Sequence, residues 1–533
     1  MLRKKLPIGI QTFREIREEG HYYVDKTPFA LQLLNQGKYI FLSRPRRFGK
    51  SLFLDTLKEL FEGNRVLFSG LYAEEHWDWS MKYPVIHLSF GSGVLKSPDR
   101  LEQAILSQIN AHAEQFGLTL SESDPTYRFT QLIRILHAHT GRRVVVLVDE
   151  YDKPILDNLS ESELALKMRD GLRNIYSVLK DSDAHLKFVF FTGVSKFSKV
   201  NLFSGLNNLL DITIDRRYSA ICGYTESDLD TIFAPELEGL DRQVIREWYN
   251  GYNWTGEAVY NPFDLLLYFD TRQLKAHWFE TGTPTFLVDF LARHHWFTPD
   301  LARLQTSQTL LSTFDIGQIR PEALLWQTGY LTFHEVNETR PGRWQYTLSY
   351  PNLEVETALN EALLPAYGPE AQASHIARSQ TEAALMANNL AHLRESFYAL
   401  FASIPHDWYR NNTLSEYEGY YASVFYSQLA ALGLDTRVED ATNKGRIDLA
   451  LRYQKQVYLF EFKVISGNSL PDSDPNLSAE AHPAAAPHSP ALQQLLDKGY
   501  AEKYRAPGVT ITLIGITFSK SERNLVGWET AQA

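Results

Sequence analysis

Residues 142–152 read RRVVVLVDEYD, an unbroken valine-rich run that ends on two acids, Asp149 and Glu150. β-Branched residues without polar alternation mark a strand buried on both faces, as in a parallel sheet covered by helices. Working outward, KYIFLS (38–43), YPVIHLSF (83–90) and LKFVFFTGV (186–194) share that texture. Between them, SLFLDTLKELF (51–61) and residues 101–115 and 127–138 carry apolar side chains at helical spacing. Strands alternating with helices predict an open α/β domain. Ligands of such sheets gather beyond the carboxyl ends of the strands, where Asp149 and Glu150 stand.

SRPRRFGKS (43–51) also follows a strand and opens a helix. Backbone N–H groups of Arg47, Phe48 and Gly49 would face an anion there, aided by the helix dipole. Lys50 would reach the β- and γ-phosphates of ATP, and the Ser51 hydroxyl would hold Mg²⁺. Asp149 would bind the Mg²⁺ shell, and Glu150 would orient or deprotonate the attacking water. TGVSK (192–196) offers Thr192 or Ser195 as a sensor of the γ-phosphate. The departure from G-x-x-x-x-G-K-[ST] is Arg44, which stands where the first glycine would fall. The bland alternative for the loop alone is a basic turn capping a helix, and the acids at 149–150 weigh against it.

The chain has 533 residues, more than one core usually supports, and 44% of them are hydrophobic. One cysteine, Cys222, rules out an intrachain disulfide and fits a reducing compartment. The N-terminal MLRKKLPIGIQTFREI has no apolar run of signal-peptide length, and no stretch is long and apolar enough to span a bilayer. The expectation is a cytoplasmic protein. A net charge of −11 argues against a surface that binds nucleic acid everywhere, while leaving room for a local basic groove.

After Cys222 the texture becomes aromatic and mostly helical. YTESDLDTIF (224–233) opens with a helix cap at Thr225. ALLWQTGYLTFHEV (323–336) and GRWQYTLSYPN (342–352) read as a helix and a short hairpin, compatible with a small winged-helix-like module. Further on, EYEGYYASVFYSQLAAL (416–432) is a helix, RIDLALRY and QVYLFEFKVI are consecutive strands, and VTITLIGITFS (509–519) is a closing strand. Residues 466–490, rich in Ser, Pro and Ala, read as a flexible insertion. The expected domains are 1–222, a P-loop ATPase; 223–370, a mostly helical, winged-helix-like region; and 371–533, an α/β nuclease-like domain holding the insertion.

In that last region Glu461 and Lys463 alternate onto one face of a strand, and Asp448 begins the preceding one. Two acids that hold Mg²⁺ and a lysine near the attacking water are what phosphodiester cleavage needs. Glu418 would add an outer or second-metal carboxylate, and Gln494 would orient the water or a phosphate. Arg446 is equally readable as a phosphate contact or a surface arginine. An exposed strand with a cross-strand ion pair is the plainer reading of E-x-K. The apolar neighbours Leu459, Phe460, Phe462 and Val464 oppose it, because unpaired charge is costly in a buried strand.

YYVDKT (22–27), RPRRFGKS (44–51), VDEYDKP (148–154) and FTGVSKFSKVNLFSGLNNLLDIT (191–213) resemble the AAA-ATPase-like family, which typically precedes a PD-(D/E)XK nuclease domain. The resemblance spans roughly residues 1–370, and that family likewise replaces the first P-loop glycine. It implies ATP binding. Residues 416–465 and 491–504 resemble the nuclease domain, mapping its site onto Glu418, Asp448, Glu461, Lys463 and Gln494. The insertion directly after the catalytic strand departs from that pattern. The resulting expectation is an ATPase coupled to Mg²⁺-dependent cleavage of DNA or RNA, serving defence or mobile elements. A homo-oligomer is compatible with it; a membrane partner is not. The competing expectation is a nucleotide-dependent switch or scaffold whose nuclease fold binds without cutting.

Overall fold

The computed structural model describes residues 3–196, 208–277, 296–307, 319–405, 419–442, 444–466 and 488–533, with a few isolated positions between these blocks. The chain forms two compact units, Met1–Thr281 with Gln305–Asn352, and Gly282–Leu304 with Leu353–Ala533.

The first unit is built on five parallel strands: β1 (Tyr39–Ser43), β2 (Val85–Ser89), β3 (Val144–Asp149), β4 (Leu186–Gly193) and β5 (Leu210–Asp211). Their order is β2-β3-β4-β1-β5. Every residue of β1 and β3 is buried, as the apolar runs require. Helix Lys50–Phe61 packs against β3 and β4, and helices Pro98–Gln115, Pro125–Thr140 and Ser162–Asp181 pack together. The strand that enters the phosphate loop and the strand that ends in acids belong to one sheet, with β4 between them. The register sets Leu42 beside Thr192, Val148 beside Phe191 and Asp149 beside Ser89. The loop and the acids therefore lie at one carboxyl edge, about 10 Å apart across two strand spacings.

Beyond Cys222, Thr225 caps helix Glu226–Thr231 in a reciprocal box: Asp228 N–H donates to the threonine hydroxyl, and Thr225 N–H donates to the Asp228 carboxylate. Helix Pro321–Thr328 leads into a hairpin of β7 (Thr332–Arg340) and β8 (Arg343–Ser349), which β6 (Leu304–Ser307) extends in the order β6-β8-β7.

The second unit carries a mixed sheet of β9 (Asp435–Thr442), β10 (Gly445–Tyr453), β11 (Gln456–Ile465), β12 (Thr510–Ser519) and β13 (Asn524–Gln532), ordered β13-β12-β11-β10-β9. Only β11 and β12 run parallel; the other neighbours are antiparallel. Helix Gly419–Ala430 covers one face, with Phe425 against Phe460 and Phe462. Helix Pro490–Lys498 packs on β11 and β12, with Leu492 and Leu495 in a core shared with Ala450, Leu459 and Leu513. The sequence led to a closing strand at 509–519; a further strand, β13, follows it. The expected insertion lies outside the described residues over 467–487, as does Glu418. Among the described residues no helix is long and apolar enough to cross a membrane.

Candidate functional site

The phosphate-loop backbone alternates between hands. Arg47 has φ of 68° and Gly49 a φ of 86°. A Cβ at Gly49 would have open space around it, so the left-handed backbone is what selects glycine there. Such alternation turns successive N–H groups toward one concavity, a shape suited to anions. Lys50, the first residue of its helix, is buried and donates to Pro45 O at 2.8 Å. Burial pushes its pKa down, and Asp149, Cys222, Glu150 and Asp152 oppose the shift. Ser51 follows, half-buried. The Phe48 ring is buried against Tyr252 and Trp254, so only its backbone is available to a phosphate.

Arg44 does not need to be glycine, because its φ is not left-handed. Its side chain turns into the core instead. The guanidinium, fully buried, donates to Ser43 O, Thr213 O and Tyr218 O at 2.8–3.0 Å and lies 4.0 Å over Trp254. Burial lowers its pKa to about 10. Arg47 stacks 3.9 Å over Phe263, with one buried guanidinium nitrogen unbonded among the described residues.

Across the edge, Asp149 is buried at the end of β3 and accepts the Glu150 N–H at 3.0 Å. Glu150 has φ of 50°, a strained value for glutamate. Burial raises its pKa and Asp149 adds to the shift, in the direction a group that accepts a proton from water needs. The Thr192 hydroxyl, buried beside β1, has no hydrogen-bond partner among the described residues. Ser195 differs: its hydroxyl donates to Asp152. Asp152, three residues past the end of β3, has a structural role that its place in VDEYDKP does not reveal. Fully buried, its carboxylate also accepts the N–H groups of Val194 and Ser195, tying the acidic turn to the end of β4. Gly193 is required at that junction, since a Cβ would sit 2.3 Å from Asp152 Oδ1. A buried cation, an unbonded buried hydroxyl and an unbonded buried guanidinium nitrogen at one sheet edge fit a polyphosphate. The Ser51 hydroxyl and the Asp149 carboxylate are the hard oxygen donors that its Mg²⁺ would take.

In the second unit the β10–β11 ladder ends at Leu449 paired with Phe460. Asp448 and Glu461, one residue beyond that pair, project from a common face, and Lys463 follows Glu461 at the strand period. The Asp448 carboxylate takes the next free donor, Phe462 N–H, at 2.8 Å. Glu461 is 1% exposed. Its Oε1 accepts from Gln494 and, at 3.4 Å, from Lys463, while Oε2 is buried with no partner among the described residues. Burial, with Asp448 adding, pushes the Glu461 pKa up to about 7 against the pull of Lys463. Among the described residues no three His, Cys, Asp or Glu side chains converge as a metal-binding group. Two carboxylates suit Mg²⁺, which keeps several waters and takes one or two carboxylates; they do not suit structural zinc. Arg446 is exposed and paired with Glu439 at 3.2 Å.

Gly515 brings Gln494 to this site. It lies opposite Glu461 in the β11–β12 register, and a Cβ on it would stand 2.5 Å from the backbone nitrogen of Leu492. The missing side chain lets helix Pro490–Lys498 settle on the sheet at the level of Glu461. Tyr500, buried beside Gln494, completes the wall, and a Cβ on Gly445 would meet its hydroxyl at 2.6 Å. Gly515→Ala is expected to lift the helix off the sheet and destabilise the unit by about 1–3 kcal/mol. Chemical denaturation measures this, and an unchanged midpoint would contradict the close approach.

A second expectation concerns pH. A carboxyl whose pKa rises on folding stabilises the fold while protonated. Its contribution is complete below the ordinary value of 4.5 and is lost as pH climbs through about 7. Metal-free protein should therefore lose on the order of 3 kcal/mol from this group across that window. Glu461→Gln should remove that part of the slope. Melting temperatures between pH 5 and 8 compare the two proteins; parallel curves would refute the assignment.

A family model described as a predicted AAA-ATPase matches residues 7–203, and one for the PD-(D/E)XK nuclease superfamily matches residues 416–528. The chain is 57% identical over 529 residues, 99% of each chain, to a protein of Azotobacter chroococcum mcd 1 named "Uncharacterized protein in vnfD 5'region". The chain thus belongs to the same family as that Azotobacter protein, and within it carries a predicted AAA-ATPase domain followed by a PD-(D/E)XK nuclease superfamily domain.

Proposed function

We propose that the protein is a nucleotide-dependent nuclease in which ATP binding and hydrolysis by the first unit govern Mg²⁺-dependent cleavage of nucleic-acid phosphodiester bonds by the second. The observation that carries this reading is the Asp448, Glu461 and Lys463 constellation, with a buried carboxylate oxygen held ready and unbonded. Bound Mg²⁺ supplies charge neutralisation at the phosphodiester and a more acidic water. Asp448 and Glu461 hold it, Gln494 fixes the Glu461 carboxylate, and Lys463 orients the water and manages its proton. In the first unit Lys50 binds the phosphates, Ser51 and Asp149 hold the Mg²⁺, Thr192 contacts the γ-phosphate, and Glu150 takes the proton of the attacking water. Defence against foreign DNA or maintenance of mobile elements is the use such a coupled pair would serve.

Coupling separates this reading from two independent activities. Cleavage of labelled DNA and RNA with Mg²⁺ is measured with ATP, with ADP and without nucleotide, in wild type and Lys50→Ala. The wild-type rate should depend on the nucleotide, and that dependence should vanish in the variant. A wild-type rate indifferent to nucleotide would overturn the coupling.

A further inference from the structure

The distal half of the β7–β8 hairpin is solvent-exposed. All eight residues from Asn337 to Trp344 are exposed, whereas the proximal residues Thr332, Phe333, Tyr346 and Leu348 are buried. A two-stranded ribbon projecting this far has little intrinsic stability of its own. Its tip places two like charges face to face: Arg340 pairs with Arg343 across the turn. Directly opposed like charges destabilise a ladder. No ion pair or side-chain hydrogen bond among the described residues relieves either arginine. The nearby acids are otherwise placed. Glu338 accepts the Gly342 N–H at 2.8 Å within the turn, and Glu335 lies nearer the base, 3.9 Å from His334. Beside Arg343 stands Trp344, 44% exposed, the one tryptophan among the exposed large hydrophobic residues that the structure describes.

We propose that this hairpin tip is a contact surface for the sugar-phosphate backbone of a nucleic acid, with Arg340 and Arg343 on neighbouring phosphates. The proposal rests on the nuclease reading above and gives it a recognition element outside the cleavage site. Phosphate oxygens convert the Arg340–Arg343 repulsion into a paired grip, and guanidinium groups suit them geometrically. An exposed aromatic beside the cations adds an apolar surface that sugars and bases can cover. In a chain of net charge −11, local cations of this kind are where a polyanion would dock.

The test is equilibrium binding of the full chain, in EDTA to prevent cutting, to a fluorescein-labelled DNA duplex and to an RNA duplex of the same sequence, across a salt series. Wild type should bind at least one of them with a salt-dependent affinity. The Arg340→Ala/Arg343→Ala pair should bind more weakly and flatten the slope of log K against log salt by roughly 2, since each lost phosphate contact removes about 0.9. Arg340→Lys/Arg343→Lys should retain most of the slope. An alanine pair with wild-type slope and affinity, in a protein that still cleaves, would overturn the hairpin while sparing the nuclease reading. Lysine variants as weak as alanine variants would also overturn it, by assigning the effect to hairpin shape. Absence of binding and cleavage in wild type would remove both.

Discussion

Glu461→Gln is expected to reduce nucleic-acid cleavage to background while leaving ATP binding intact. The wild-type carboxylate is 1% exposed, with one oxygen committed to Gln494 and Lys463 and the other unbonded. Glutamine preserves shape and burial but removes the charge, leaving Asp448 as the only acid of the pair. Hard divalent cations need charged oxygen donors, so divalent-ion binding should fall with cleavage. Lys463→Ala separates the roles, because the lysine is not a metal donor. Metal binding should survive, and the rate should drop roughly 10²–10⁴-fold if Lys463 manages a proton. Mn²⁺ titration by calorimetry and single-turnover cleavage distinguish the cases. A Glu461→Gln protein that binds Mn²⁺ and cuts as wild type does would remove Glu461 from the site.

Lys50→Ala should cost the nucleotide site most of its affinity. The buried ammonium uses one donor on Pro45 O, and in the proposed role its other donors would meet phosphate. Loss of a charged hydrogen-bonding group is worth about 1.5–3 kcal/mol, roughly 10- to 100-fold in Kd. Glu150→Gln should behave differently: in the proposed role the carboxylate acts on water and not on phosphate, so binding should hold and turnover fall. Binding of a fluorescent ATP analogue, paired with phosphate release, reads both. Equal turnover in wild type and both variants would count against this site.

The features written in local pattern were legible beforehand. Uninterrupted apolar runs at 144–148 and 39–42 identify buried parallel strands, the Thr225 cap follows from a polar residue ahead of a periodic run, and E-F-K forces Glu461 and Lys463 onto one face. What stayed hidden depends on contacts between distant segments. Nothing local to VVVLVD says that β4 will lie between it and β1. The turn of Arg44 into the core depends on carbonyls at Thr213 and Tyr218, about 170 residues away. β9, DTRVEDAT, alternates exposed and half-buried residues at a sheet edge, so it lacks the apolar signal of its neighbours. β13, NLVGWETAQ, is the opposite edge: it is mostly half-buried and mixes polar residues with few apolar ones, so its signal is weak as well. Nothing in VTITLIGITFS marks Gly515, whose role comes from the helix backbone packed against it. Asp152 was visible in VDEYDKP, but its partners lie more than forty residues on.

The central claim, that the second unit cuts nucleic acid at Asp448 and Glu461, is tested most directly by incubating labelled DNA and RNA with Mg²⁺ and ATP and either wild type or Asp448→Ala. The account predicts that wild type cleaves at least one of them and that Asp448→Ala cleaves neither while still binding ATP. Wild type that cuts neither, or a variant that cuts as fast as wild type, would contradict it and favour a nucleotide-dependent scaffold.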